Sequence, residues 1–443
     1  MKPHRRVSRR HFLAASSSLL IASQLPGAEE KSETKSASKL AVQGGEKAVK
    51  VRVPKVARWG DLERDRLNTM LGQDSLFYWN GPQTAAFIER FKKFCPLEHV
   101  MTCSSGTAAI HIAVAAAGIG PGDEVITAPI TDIGSTIGVL YQQAVPVFAD
   151  LGANTYNLDV ADVERRITPK TKAIIAVHLG GNPCDTQALR KLADRRGLIL
   201  IEDCAQAWAA KYRGQPIGTT GHIACFSLQN TKLITCGDGG AVASSDNRIG
   251  PLLQRFGDKG FDRLTTTGLF ENFSTNYRMS EPQAAVAAAQ LERLEKIAAR
   301  RSELGNRLTE KIRGTPGISA HEVHVDDRCV YWFYMMRIRP EAFRANRAEL
   351  VKALAAEGAP VAAGYIPVPL FRNPVFLKHG FFAGRWPIKE FGLTAMDYTK
   401  VSCPEAESIL TTGIRITIHE AMSDEFIDDV ATAIRKVAAH FAV

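Results

Sequence analysis

What the chain lacks narrows its chemistry first. Its eight cysteines include no C-x-x-C pair, which removes the usual dithiol redox motif and the spacing of a structural zinc site. The eleven histidines form no ligand cluster. His321-Glu-Val-His324 comes nearest and reads as a solvated loop, so no metal is expected. Lys2, Arg5, Arg6, Arg9 and Arg10 contribute five units of the net +9 charge, and no long basic run follows them. Nucleic acid is therefore not an expected partner. The apolar stretch Leu13–Leu25 carries four serines, which argues against a stable membrane span. No internal repeat is present, which excludes solenoids and propellers. The cysteines lie scattered in apolar stretches, as buried small hydrophobes do, and a chain this long does not need disulfides.

With 443 residues, 45% of them hydrophobic, two or three domains are expected. The N-terminus has the parts of an export signal. Ser8-Arg9-Arg10-His-Phe12-Leu13 leads into the Leu13–Leu25 stretch, and Leu25-Pro-Gly-Ala28 offers small residues for cleavage. The paired arginines resemble the twin-arginine type. Residues 1–28 are thus expected to be a signal peptide and the protein to be periplasmic or otherwise extracytoplasmic. Residues 29–47, rich in Ser, Lys, Glu and Gly, read as a linker or a poorly ordered arm. Short apolar runs then alternate with helical patterns. Strands are expected at Glu124–Thr127, Val145–Phe148, Ala173–Val177, Leu198–Ile201 and Ala224–Leu228, with Pro146 making the second the least secure. Helices are expected at Thr84–Phe94, Ala108–Ala117 and Thr186–Arg196. The alternation predicts an α/β domain with a mostly parallel sheet covered on both faces, spanning 48–300. One long helix, Pro282–Lys296, would bridge to a smaller α+β domain, 301–443. That unit would have strands at Val330–Ile338 and Ile414–Ile418 and a closing helix Asp424–Phe441 capped by Ser423.

Three places could carry chemistry. Ser104-Ser105-Gly106-Thr107 opens a helix, where unpaired N–H groups and the helix dipole favour an anion such as phosphate; an ordinary N-cap is the plainer reading. Glu202-Asp203 closes an apolar strand, and one of the two acids could partner a heteroaromatic nitrogen or simply cap the next helix. Lys232 follows a strand and precedes Gly237-Asp-Gly-Gly240. A lysine with a nearby acid suggests pyridoxal phosphate, which needs an amine for a Schiff base and a carboxylate for its pyridine nitrogen. The amine must be neutral to attack a carbonyl, and a desolvated setting favours that form.

The ordered series Ser105-Gly-Thr-Ala-Ala-Ile-His, Gly118-Ile-Gly-Pro-Gly-Asp-Glu-Val125, Val147-Phe-Ala-Asp150, Val177-His-Leu-Gly-Gly181, Ile201-Glu-Asp-Cys-Ala-Gln-Ala207, Ser227–Gly240 and Asn276-Tyr-Arg-Met-Ser-Glu281 resembles the DegT/StrS family of sugar aminotransferases. That family is a branch of the fold-type I aminotransferases. The resemblance runs from about Lys39 to the C-terminus. It implies a large domain with a mostly parallel seven-stranded sheet, a smaller C-terminal domain and pyridoxal 5'-phosphate as cofactor. It further implies that Lys232 carries the Schiff base, that Asp203 pairs with the pyridine nitrogen and that Gln206 contacts the ring's substituents. Gly106, Thr107 and Ser227 would hold the phosphate. Asn276 would reach the phosphate of a neighbouring subunit, making the active unit a homodimer with shared sites; the plainer reading of Asn276 is a cap.

One departure stands out. Family members commonly place an aromatic residue in the loop after Pro129, against the cofactor ring. Here the loop reads Pro129-Ile-Thr-Asp132-Ile133-Gly-Ser-Thr136, and Asp132 either faces substrate or bonds only its own loop. The expected partners are small molecules: glutamate or glutamine as amino donor and a keto-sugar or keto-cyclitol as acceptor. Arg415 is a candidate for the donor's carboxylate, against a plain surface role on its strand. Two alternatives stay open at this stage: lyase-type chemistry on an amino acid, or a non-catalytic sensor that keeps the fold.

Overall fold

The computed structural model describes residues 39–443 except 264, 266, 267 and 271. The expected export signal, residues 1–28, and residues 29–38 of the expected arm lie outside the described residues. Seven strands form the main sheet: β1 (His99–Cys103), β2 (Glu124–Thr127), β3 (Val145–Phe148), β4 (Thr171–Val177), β5 (Ile199–Asp203), β6 (Ile223–Ser227) and β7 (Gly240–Ser244). Their spatial order is β1-β7-β6-β5-β4-β2-β3. Strands β2 to β6 pair in parallel, and β7 runs against both of its neighbours, β1 and β6. Ile174, Ile175, Leu200 and Ile201 are fully buried, as a sheet covered by helices on both faces requires. Pro146 is tolerated because β3 is an edge strand, where a missing N–H costs no ladder bond. The helices Pro82–Phe94, Gly106–Ala116 and Thr186–Arg196 fall within two residues of their expected bounds.

A four-stranded antiparallel sheet forms the smaller C-terminal part, in the order Ile318–Ser319, Tyr334–Ile338, Gly413–Ile416, Val361–Ala363. Helices Leu294–Ile312 and Asp424–Phe441 share its core through Leu304, Leu308, Ile427 and Ile434. Ser423 caps the latter, its Oγ accepting from Phe426 N at 3.1 Å. No helix among the described residues is long and apolar enough to cross a membrane.

Three expectations need correction. The helix expected over Pro282–Lys296 is two helices, Glu281–Leu291 and Leu294–Ile312. At the break the chain turns tightly, with Glu292 N and Arg293 N donating three residues back. Gln290 and Arg293 there grip Glu63 and the carbonyl of Arg58. Next, Val330–Phe333 does not join the small sheet. Val330 N and Trp332 N donate instead to Gly181 O and Gly180 O at 3.1 and 2.7 Å. This turns Trp332 toward the large domain. Finally, the described part of the arm is packed: Leu40 is fully buried, and Ala41 N and Ala48 N donate to the Glu357 carboxylate, both at 2.8 Å.

Candidate active site

The C-terminal ends of β1, β5 and β6 meet at one edge of the sheet, where open α/β sheets place their ligands. A cavity of about 320 Å³ opens there. Ser105, Gly106 and Thr107 follow β1, Asp203 ends β5, Ser227 ends β6, and Lys232 lies in the loop after β6; all six line the cavity. Ser105 caps the helix, its Oγ accepting from Ala108 N at 3.0 Å. The first N–H groups of that helix have no intrahelical partner and are available to an anion. A Cβ on Gly106 would stand 2.7 Å from Ser227 Cβ, so only glycine lets the helix start approach β6 this closely.

Glu202 and Asp203 are consecutive on β5, so their side chains leave on opposite faces. Glu202 is fully buried and spent on structure. It accepts from Gly218 N (2.9 Å), Thr220 N (3.0 Å) and Gly221 N (2.5 Å), and it meets His178 Nε2 at 3.1 Å. Cys184 N donates to His178 Nδ1 at 3.0 Å, which fixes the imidazole proton on Nε2, facing Glu202. The donor atoms of His178, Glu202 and Cys204 lie within 4.8 Å of one another, but the imidazole and carboxylate atoms are already engaged within the protein. Asp203 faces the cavity. Its Oδ2 accepts from Ser135 Oγ at 2.7 Å and its Oδ1 from Ala205 N at 3.1 Å. Burial raises its pKa, opposed by these hydrogen bonds and by the Lys232 charge.

Lys232 is 8% exposed. Burial lowers its pKa, partly offset by the Asp203 and Asp132 carboxylates. Its Nζ stands over the Trp332 indole, 4.2 Å from the ring centroid. Trp332 Nε1 in turn donates to Thr231 O at 2.8 Å, one residue before the lysine. Trp332 and Tyr365 bring the smaller domain to the cavity wall. Trp332 and Ser135 were not among the expected site residues. The aromatic run Tyr331–Tyr334 was a visible signal, but it read as part of a strand. Ser135 is one hydroxyl among several in its loop and carries no mark of its own.

Not every expected residue reaches the cavity. Gln206 is buried, and its amide accepts from Gly180 N at 2.7 Å and donates to the Tyr365 hydroxyl at 3.3 Å. It supports a cavity residue without lining the cavity. Asn276 is exposed and away from this cavity, its Oδ1 held by Arg278 N and Nε at 3.3 and 2.8 Å. Asp132 is exposed on the cavity wall with Oδ1 accepting from Gly134 N at 2.8 Å, and Ile133 beside it is 40% exposed. Arg415 is half-buried in the small sheet, and its charge acts on the Tyr365 phenol.

Comparison with known proteins agrees with this geometry. The model of the DegT/DnrJ/EryC1/StrS aminotransferase family matches residues 60–435. The chain is 34% identical to the GDP-perosamine synthase of Caulobacter vibrioides, over 79% of this chain and 89% of that one. It is 35% identical to the L-glutamine:2-deoxy-scyllo-inosose aminotransferase of Streptomyces kanamyceticus, over 81% and 86%. The solved structure of 3-amino-5-hydroxybenzoic acid synthase superposes with a TM-score of 0.77 at 28% identity, covering 88% of this chain and 99% of that one.

Proposed function

The chain belongs to the DegT/DnrJ/EryC1/StrS aminotransferase family, and on that premise we propose that it moves an amino group from glutamate or glutamine to a keto-sugar or keto-cyclitol. Pyridoxal phosphate is the cofactor and transamination the reaction class of the family. The observation that supports the cofactor-dependent part of this reading is the meeting of a buried amine, Lys232, a buried carboxylate, Asp203, and a helix start in one cavity. The cavity fits the cofactor: a cradle at Gly106 that a Cβ would fill, a hydroxyl at Ser227, and the Asp203 carboxylate on its wall. Gly106, Thr107 and Ser227 would hold the phosphate, Asp203 the ring nitrogen, and Lys232 the aldehyde carbon. When bound, the cofactor supplies a sink for the electron pair left as the donor's α-proton departs.

The protein's own part is proton handling and orientation. Burial shifts Lys232 toward its neutral form, the form whose Nζ can take the α-proton and return it elsewhere. Ser135 and Ala205 N–H aim the Asp203 carboxylate and keep it from rotating away. The Arg415 side chain has no hydrogen-bond or ion-pair partner among the described residues and is assigned to the donor's carboxylate. Asp132 keeps one oxygen for a hydroxyl of the acceptor. The exposed Asn276 is assigned to the site of a second subunit, in a homodimer. Export by the twin-arginine route rests on Arg9-Arg10 and the segment after them. Changing both arginines to lysine should hold the protein in the cytoplasm; unchanged export refutes that route. Keto-sugars and keto-cyclitols screened against the amine-loaded enzyme test the acceptor class, and turnover of none of them refutes it.

A further inference from the structure

The loop that carries Lys232 is gripped from outside at two consecutive carbonyls. Trp332 Nε1, from the smaller domain, donates to Thr231 O at 2.8 Å. Arg58 Nη1 donates to Lys232 O at 2.9 Å. Arg58 is itself fixed: its own carbonyl accepts from Gln290 Nε2 at 2.8 Å and from Arg293 Nη2 at 2.9 Å. Just downstream, Glu63 is 4% exposed and bonds Gln290 and Arg293 at the helix break. Upstream, Val49 N donates to Glu357 O at 3.0 Å, and Lys50 N and Val51 N donate to Asp429 Oδ2 at 2.8 and 3.3 Å. Residues 49–63 thus run as a strap from the smaller domain to the lysine loop. Arg58 is not among the charges that shift Lys232; its contact is with the backbone alone.

We infer that Arg58 is a positioning residue for Lys232, the strap's guanidinium and the Trp332 indole together fixing the backbone from which the amine reaches the cavity. This rests on Lys232 being the cofactor-binding amine. A reacting group displaced by about 1 Å can lose on the order of 10²-fold in rate, so the clamp acts on the speed of Lys232 chemistry more than on the fold. The test measures how fast added pyridoxal phosphate attaches to Lys232 in apo protein, with loss of one water. Borohydride traps the product, and peptide mass locates it. Arg58→Ala should slow attachment about tenfold or more, leave the pH midpoint of the reaction unchanged, and keep the wild-type melting temperature. Arg58→Lys should restore part of the rate. Wild-type attachment rates in Arg58→Ala overturn the proposal. If Arg58→Ala melts early, Arg58→Lys decides: a normally melting lysine variant that attaches the cofactor more slowly than wild type supports the clamp, and one that attaches it at the wild-type rate overturns it. Label found on another lysine of the wild-type protein would instead refute the assignment of Lys232.

Discussion

Replacing Gly106 by alanine separates a packing role from a cofactor role. Gly106 does not have a positive φ, so alanine meets no backbone penalty, and it is a better helix former by up to about 1 kcal/mol. The obstacle is steric. The new Cβ would lie 2.7 Å from Ser227 Cβ, 3.1 Å from its Oγ and 3.3 Å from its Cα. Carbon pairs prefer about 3.5–4.0 Å, so either the helix start or β6 must move by several tenths of an ångström or more. Ser227 is on a fully buried strand, and such overpacking typically costs about 1–3 kcal/mol. The helix gain offsets part of that, leaving the apo protein destabilised by roughly 0–2 kcal/mol. The same displacement moves the N–H groups and the Ser227 hydroxyl that would receive the phosphate. Pyridoxal phosphate affinity should therefore fall at least about tenfold, or 1.4 kcal/mol, beyond any change in apo stability. Equilibrium titration of apo protein with pyridoxal phosphate, beside chemical denaturation of the same samples, reads both quantities. Wild-type cofactor affinity in Gly106→Ala would refute the placement of the phosphate.

Two more expectations concern charge. Glu202→Gln puts an amide nitrogen where only acceptors fit, opposite the N–H groups of Gly218, Thr220 and Gly221. It should cost about 2–3 kcal/mol in urea unfolding, and a loss below about 1 kcal/mol would contradict a structural role. Lys232 has a lowered pKa in the folded state, so between that value and its unfolded value the unfolded chain binds the extra proton. Apo stability should then rise with pH across this window relative to Lys232→Met, and a flat or falling difference would count against the buried amine.

Much of this site could be read along the chain because its residues follow strand ends closely. Asp203, Ser227 and Lys232 each sit within five residues of a β-strand expected from its apolar run, Gly106 opens an expected helix, and the parallel topology gathers the strand ends without further information. The choice between Glu202 and Asp203 was open in the residues alone. It turns on which face of β5 meets the cavity, a consequence of pleat and register that the dipeptide does not contain. Trp332 and Tyr365 come from a domain more than a hundred residues downstream of Asp203, and Arg58 from a strap far upstream of Lys232. Their roles depend on long-range contacts, chiefly the pairing of Val330 and Trp332 with Gly180 and Gly181. The helix break at Glu292-Arg293 lies in a sequence rich in helix formers, so tertiary grip on Glu63 and Arg58 outweighs propensity there.

On the proposed function, Lys232 is the amine that holds pyridoxal phosphate. Incubating wild-type and Lys232→Ala protein with pyridoxal phosphate, reducing with borohydride and mapping the modified peptide by mass tests it most directly. One label, on Lys232, is expected in the wild type and none in the variant, with both proteins folded. A label elsewhere in the wild type, or a Lys232→Ala protein that still binds the cofactor covalently and transfers amino groups, would contradict it.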